Sequence, residues 1–184
     1  MKDKFISYLK SSWKPLLGIF LIVSATLIVW NMRDTWVCDG IESQNDRLLQ
    51  ASLMMRANPD CLCEKGKPAL FLAFDKDNET AMDLLYKYGA ELDDIHYQKQ
   101  TPLTYFTQKG KTKAVKKLLH FAANPNHPSP NGDYPIFLAV ETQKHSILKA
   151  LTDYGATEIN GRNNIGDTPL LIASKIGDWK ALTS

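Results

Sequence analysis

The most reactive side chains in this sequence are three cysteines, Cys38, Cys61 and Cys63. Cys61-Leu62-Cys63 puts two soft sulfur ligands one residue apart, but a structural metal site needs two more, and no histidine lies near them in sequence. A metal is therefore not expected. In an oxidising compartment a disulfide would form instead, joining Cys38 to Cys61 or to Cys63 and leaving one thiol over. In a reducing one, all three would behave as small buried hydrophobes. The sequence leaves both alternatives open.

His96, His120, His127 and His145 show neither metal-ligand spacing nor a nucleophile partner, and they read as surface or packing residues. Asp75, Asp77 and Glu79 imitate the start of a calcium loop but lack its central glycine and distal bidentate glutamate. They read as a solvated turn. No glycine-rich phosphate loop and no nucleophile elbow occurs. No catalytic constellation is visible, so an enzyme is not expected and neither is a cofactor. Function must come from a surface, and the question becomes which elements build it.

The hydrophobic fraction of 44% and the charged fraction of 23% are those of a folding chain. The net charge of +2 hides an asymmetry. Lys2, Lys4, Lys10 and Lys14 face only Asp3 within residues 1–30, while the rest is close to neutral. Without a basic stripe in the body, nucleic acid is not an expected partner. From Pro15 to Trp30 the chain carries no charge, and Trp13, Trp30 and Trp36 flank the run. This predicts a membrane-inserted segment at 15–32, of about 18 residues, behind a tail at 1–14. Val23-Ser24-Ala25 offers a cleavage site, but the apolar run continues through Thr26–Trp30, which suits an uncleaved signal anchor. The four lysines before the span predict a cytoplasmic N-terminus and an extracytoplasmic body, the periplasmic side of a bacterial inner membrane. Residues 33–44 are expected to be a juxtamembrane linker.

Self-similarity decides the fold. Lys67-Pro68-Ala69-Leu70, Thr101-Pro102-Leu103-Thr104, Tyr134-Pro135-Ile136-Phe137 and Thr168-Pro169-Leu170-Leu171 align with prolines 34, 33 and 34 residues apart. Gly89-Ala90, Ala122-Ala123 and Gly155-Ala156 keep a period of 33. Proline suits a first helical turn, and glycine suits the left-handed residue that closes a helix. The apolar stretches between them are too short for isolated helices and must stack to bury a core.

This pattern resembles the ankyrin repeat, with its Thr-Pro-Leu-His opening, two antiparallel helices and Gly-Ala-Asp turn. The resemblance covers about residues 45–184 and implies an all-α solenoid of stacked helix pairs. The expected units are a capping half-repeat at 45–63, repeats at 64–97, 98–130 and 131–164, and a partial repeat at 165–184. The histidine position carries Leu70, Thr104, Phe137 and Leu171, so its hydrogen bond to the turn is expected to be missing throughout. An extra residue is expected between the first repeat's helices, around Asp75–Glu79, and another after Gly155.

The resemblance further implies protein binding through the finger turns and the exposed ends of the first helices. The residues so assigned are Phe74, Asp75, Tyr97, Gln98, Gln100, Gln108, Lys109, Asn131, Asp133, Glu141 and Asn164. Phe74 and Tyr97 are the expected aromatic anchors. The function implied is a membrane-tethered interaction module, an extracytoplasmic adaptor or inhibitor of the immunity-protein kind. The alternative is a cytoplasmic-facing scaffold that recruits a soluble protein.

Overall fold

The computed structural model describes residues 32–94, 96–163 and 165–178, and these contain helices and turns but no strand. The regularity is greatest in one row of helices: α2 (Asp46–Met54), α4 (Glu79–Lys87), α6 (Thr112–His120) and α8 (His145–Asp153). Each has nine residues, and each starts 33 residues after the one before. Alternating with them are α1 (helical from 32 to 42), α3 (Ala69–Asp75), α5 (Pro102–Gln108), α7 (Pro135–Glu141) and α9 (Pro169–Ile176).

Local chemistry starts these helices. The side chains of Asn45, Asn78, Thr101 and Thr168 accept hydrogen bonds from the amides of Leu48, Ala81, Thr104 and Leu171. Proline opens α5, α7 and α9, where its missing N–H costs nothing. Helices of seven to nine residues are marginal alone, so burial must hold them. One continuous core runs from Val37 to Ala173. Phe71 and Phe74 of α3 pack on Phe106 of α5, with ring centroids 5.9 and 5.4 Å apart, and all three rings are fully buried. Each such ring contributes about 1.5–3 kcal/mol against about 1 kcal/mol for a cap, so packing dominates.

The observed register differs from the sequence alignment in the first repeat. Pro68 has extended backbone and is the residue before α3, which begins at Ala69, whereas Pro102 and Pro135 lie inside their helices. Pro68 therefore matches Thr101 and Tyr134, and the period from α3 to α7 is an even 33. The extra residue expected around Asp75–Glu79 is absent: α3 and α4 start ten residues apart, as do α5 and α6, and α7 and α8. Proline misleads here because its φ near −65° and its lack of N–H suit both positions. The residue after Gly155 is genuinely extra and lies beside the 3-10 turn Glu158–Asn160.

The expected linker at 33–44 is also corrected. It is helical through residue 42, with Val37 and Ile41 fully buried. Gln44 then takes a left-handed φ of 54°, the role of Asp77, Gly110, Gln143 and Gly177 in the later repeats. The capping unit is thus a full helix pair, α1 with α2. The disulfide Cys38–Cys63 fastens α1 to the first finger. Closing a loop of this length stabilises by about 3 kcal/mol in the chain-entropy account. The predicted span at 15–32 lies, apart from Met32, outside the described residues, as do residues 1–14. Among the described residues no helix is long and apolar enough to cross a membrane.

A second left-handed position closes each second helix: Arg56 (φ 60°), Gly89 (87°), Ala122 (68°) and Gly155 (89°). Alanine there bears the Cβ strain that glycine avoids. A Cβ at Gly89 would meet nothing within 4 Å, so only backbone strain distinguishes the residues. Urea unfolding of the full chain should show Ala122→Gly stabilised by about 0.5–1 kcal/mol and Gly89→Ala destabilised by about 1 kcal/mol.

Candidate protein-binding face

Each finger turn is a tight reversal between a second helix and the next first helix. In the first, Cys63 N–H donates to the Lys67 carbonyl at 2.8 Å and Ala69 N–H to the Cys61 carbonyl at 2.9 Å. In the second, Tyr97 and Gln100 exchange both backbone hydrogen bonds at 3.0 Å across Gln98 and Lys99, which sit at φ 54° and 59°. Such a two-residue turn favours Asn-Gly. Here it carries two long polar side chains on strained backbone, both exposed. Ser129 N–H closes the third finger on the Asp133 carbonyl, and Asn163 N–H the fourth on the Asp167 carbonyl. Gln98 and the exposed Asn131 thus stand at finger tips, while the assigned Asn164 is outside the described residues.

Where each finger meets its first helix, two side chains eight residues apart come together. Lys67 donates to Asp75 at 2.5 Å, Gln100 to Gln108 at 2.8 Å, and Lys175 to Asp167 at 2.5 Å. Burial opposes the Lys67 charge, but the bond and charge of Asp75 outweigh it and raise its pKa. The third pair is Asp133 and Glu141, two carboxylates. Burial raises the pKa of Glu141, and the charge of Asp133 raises it further. The assigned residues Asp75, Gln100, Gln108, Asp133 and Glu141 therefore share one row. Neither the eight-residue offset nor its repetition was drawn from the sequence, because the two positions meet only once the finger folds back over the helix.

Phe74 does not belong to this face. It is fully buried against Phe106, and Asp75 holds the position of Gln108 and Glu141. The misplaced register around Pro68 moved this assignment by one residue. Tyr97 is half-buried, tilted on Phe71 at 5.6 Å and edge-on to Tyr105 at 5.7 Å, leaving only part of its ring to solvent. Lys67 lies over Tyr97 at 5.4 Å and the exposed Lys109 over Tyr105 at 4.7 Å, contacts favoured by the negative ring face. The hydrogen bond expected to be missing at the histidine position is partly supplied, since Thr104 Oγ1 lies 2.9 Å from Thr101 Oγ1 and donates to the Thr101 carbonyl.

Neighbouring repeats are held by contacts the sequence reading missed. Asp60, Asp93 and Asn126 accept from the amides of Glu91, Asn124 and Thr157 at 2.9, 3.0 and 2.7 Å. In the capping unit Asp34 accepts from Asn58 at 2.8 Å. Lys111 reaches back to the carbonyls of Phe74 and Asp75. His145, at the start of α8, pairs with the buried carboxylate of Asp178 at 2.8 and 2.9 Å. The period of Asp60, Asp93 and Asn126 was the available signal for the first set.

Beneath the first finger, Cys61 is buried with its sulfur 3.8 Å from that of Cys38, and its S–H points to the Asp34 carbonyl at 3.4 Å. Burial, then Asp34, then Asp60 push its thiol up to about 12. It is therefore no nucleophile at neutral pH. A groove of about 590 Å³ lies elsewhere, along the second helices, lined by Asp77, Met82, Lys113, Lys117, His120 and Tyr154 among others. Lys117 in it is already engaged by Asp83 at 2.7 Å.

A stack of helix pairs with projecting two-arm turns is a binding scaffold, its variable side chains set out at a fixed repeat. The sequence profile described as Ankyrin repeats (3 copies) matches residues 40–129 and 107–182. The chain belongs to the ankyrin-repeat family. It is similar to a putative ankyrin repeat-containing protein of Treponema pallidum, 30% identical over 93 residues, half of this chain and 31% of that protein. It is also similar to the transient receptor potential cation channel subfamily A member 1 of Homo sapiens, 30% identical over 92 residues, half of this chain and 8% of that one. Alpha-latroinsectotoxin-Lt1a of Latrodectus tredecimguttatus is 25% identical over 124 residues, 65% of this chain and 9% of the toxin. The chain thus spans under a third of the length of each of these relatives.

The inter-repeat contacts carry a pH signature. Loss of hydration raises the pKa of Asp93, offset only partly by the Asn124 amide and His127. A carboxyl whose folded pKa lies above its unfolded value is neutral at no cost in acid and loses stability as pH rises through the carboxylate range. Asn126 shows that an amide fills the same role. Asp93→Asn should therefore gain on the native chain in urea unfolding between about pH 3 and pH 6. A gap that stays constant or narrows over that range would contradict the assignment.

Proposed function

We propose that this protein is a membrane-tethered, non-enzymatic module that binds one partner protein through the row of finger tips and first-helix ends. The observation that carries the reading is the row itself. A rigid, hydrogen-bonded scaffold presents Gln98, Lys99, Gln108, Lys109, Asn131 and Glu141 to solvent, while its core positions are filled. The relatives by name include a channel and a toxin, and they share with this chain only a short part of their length. What is common is the repeat array, which favours binding over a shared activity.

The apolar run at 15–32 and the lysines before it support an anchor with the repeats outside the cytoplasm. The Cys38–Cys63 disulfide supports the same side, because such bonds persist in oxidising compartments. An inhibitor or immunity role for an exported protein fits a small tethered binder. The Asp133–Glu141 pair, lacking the cation or amide of its three counterparts, favours a partner that brings a basic side chain.

Fusing a periplasm-active phosphatase, and separately a cytoplasm-active fluorescent protein, after Ser184 tests the orientation. Phosphatase activity alone is expected. Fluorescence alone would turn the module towards cytoplasmic partners. Among proteins captured by the full chain, Glu141→Lys should weaken the specific partner by at least about tenfold, the loss of one charge pair at an interface. Lys113→Ala on the opposite helices should leave it unchanged.

A further inference from the structure

We propose that Cys38, Cys61 and Cys63, when reduced, form a three-thiolate site for a single thiophilic cation of the Cu(I) kind, and that the Cys38–Cys63 disulfide closes that site. The proposal concerns the capping unit and does not depend on the binding reading above.

The geometry comes first. The three sulfurs lie within 4.8 Å of one another, and those of Cys38 and Cys61 are 3.8 Å apart. Three sulfurs bound to one ion at about 2.3 Å, a usual metal–thiolate distance, sit roughly 4 Å from each other in a plane. Rigid elements hold the donors. Cys38 projects from α1, while Cys61 and Cys63 occupy alternate positions on one arm of the first finger, whose backbone is tied to Lys67 and Ala69. Cys61 is 7% exposed, Cys38 9% and Cys63 half-buried, so a bound ion would be partly shielded from water.

The donor set selects the ion. It is all sulfur among the described residues, with no histidine or carboxylate in the cluster. Soft thiolates favour Cu(I), which accepts three, whereas structural Zn(II) wants a fourth ligand.

The disulfide makes the site conditional. A dithiol reductant gives two electrons and two protons to Cys38–Cys63. The S–S bond breaks, two thiols form, and the reductant becomes a disulfide. The cation then displaces three protons from the three thiols. In the oxidised chain only Cys61 retains a free sulfur, which cannot hold the ion alone.

The test is anaerobic titration of the full chain with Cu(I) against a chromophoric Cu(I) chelator, before and after disulfide reduction. The reduced chain is expected to withdraw one ion per molecule and the oxidised chain none. Cys61→Ser keeps the disulfide pair and should lower the affinity of the reduced chain at least tenfold. Zn(II) as a second probe should bind more weakly than Cu(I) in the same reduced chain. Helicity followed by circular dichroism guards against unfolding: helix lost on reduction and restored by Cu(I) supports the site, and helix lost and not restored counts against it. Equal uptake by oxidised and reduced chains, or by Cys61→Ser and the native chain, would overturn the proposal.

Discussion

A side-chain oxygen reaching 31 residues forward to a backbone amide is the contact that recurs between neighbouring repeats and lines up the buried rings whose packing holds this structure. Asp60, Asp93 and Asn126 each make it, from the loop after one second helix to the residue that follows the next. Each bond pairs a backbone amide of one turn with a side chain of the turn before it. It also fixes how far one repeat can slide against its neighbour. Since none of the described helices is long enough to stand alone, that register decides whether Phe71 and Phe74 meet Phe106. The even 33-residue spacing from α2 to α8 is the visible result.

Once the register is set, the fingers have little freedom. Their tips are closed by backbone hydrogen bonds, and the bases of the first, second and fourth are tied to the first helices by the paired positions. The strained Gln98-Lys99 turn persists because Tyr97 beside it is wedged between Phe71 and Tyr105. A surface built this way loses little conformational entropy on binding, which is what a small rigid binder needs. It also explains why the exposed charges can vary from repeat to repeat without disturbing the stack: they sit on a frame held by buried residues and backbone bonds. The Asp133–Glu141 pair is tolerated on that frame at the cost of mutual repulsion.

Most of the fold was legible because two markers, proline and the glycine-alanine turn, recur in step. Where one marker was ambiguous the reading slipped. Pro68 can precede a helix as readily as begin one, and that single residue moved Phe74 onto the surface and created a false insertion. α1 was missed because its repeat carries no proline or glycine marker at all. Its signal lay in Val37 and Ile41, four residues apart on one helical face and followed by the turn at Gln44. The binding row was legible as positions but not as pairs, since the meeting of residues 67 and 75 depends on how the finger folds back over the helix. A bond from Cys38 to Cys61 or Cys63 was legible as an alternative, but which of the two it meets depends on α1 and was hidden with it.

The central claim is that partners are gripped by the finger tips and first-helix ends. The most direct measurement places a photo-crosslinking residue, one at a time, at Gln98, Asn131, Lys113 and Lys149 in the full chain within its native cell. The account predicts a discrete adduct of one size at Gln98 and Asn131, and none at Lys113 and Lys149 on the second helices. Adducts at Lys113 and Lys149 alone would contradict it and move recognition to the opposite face.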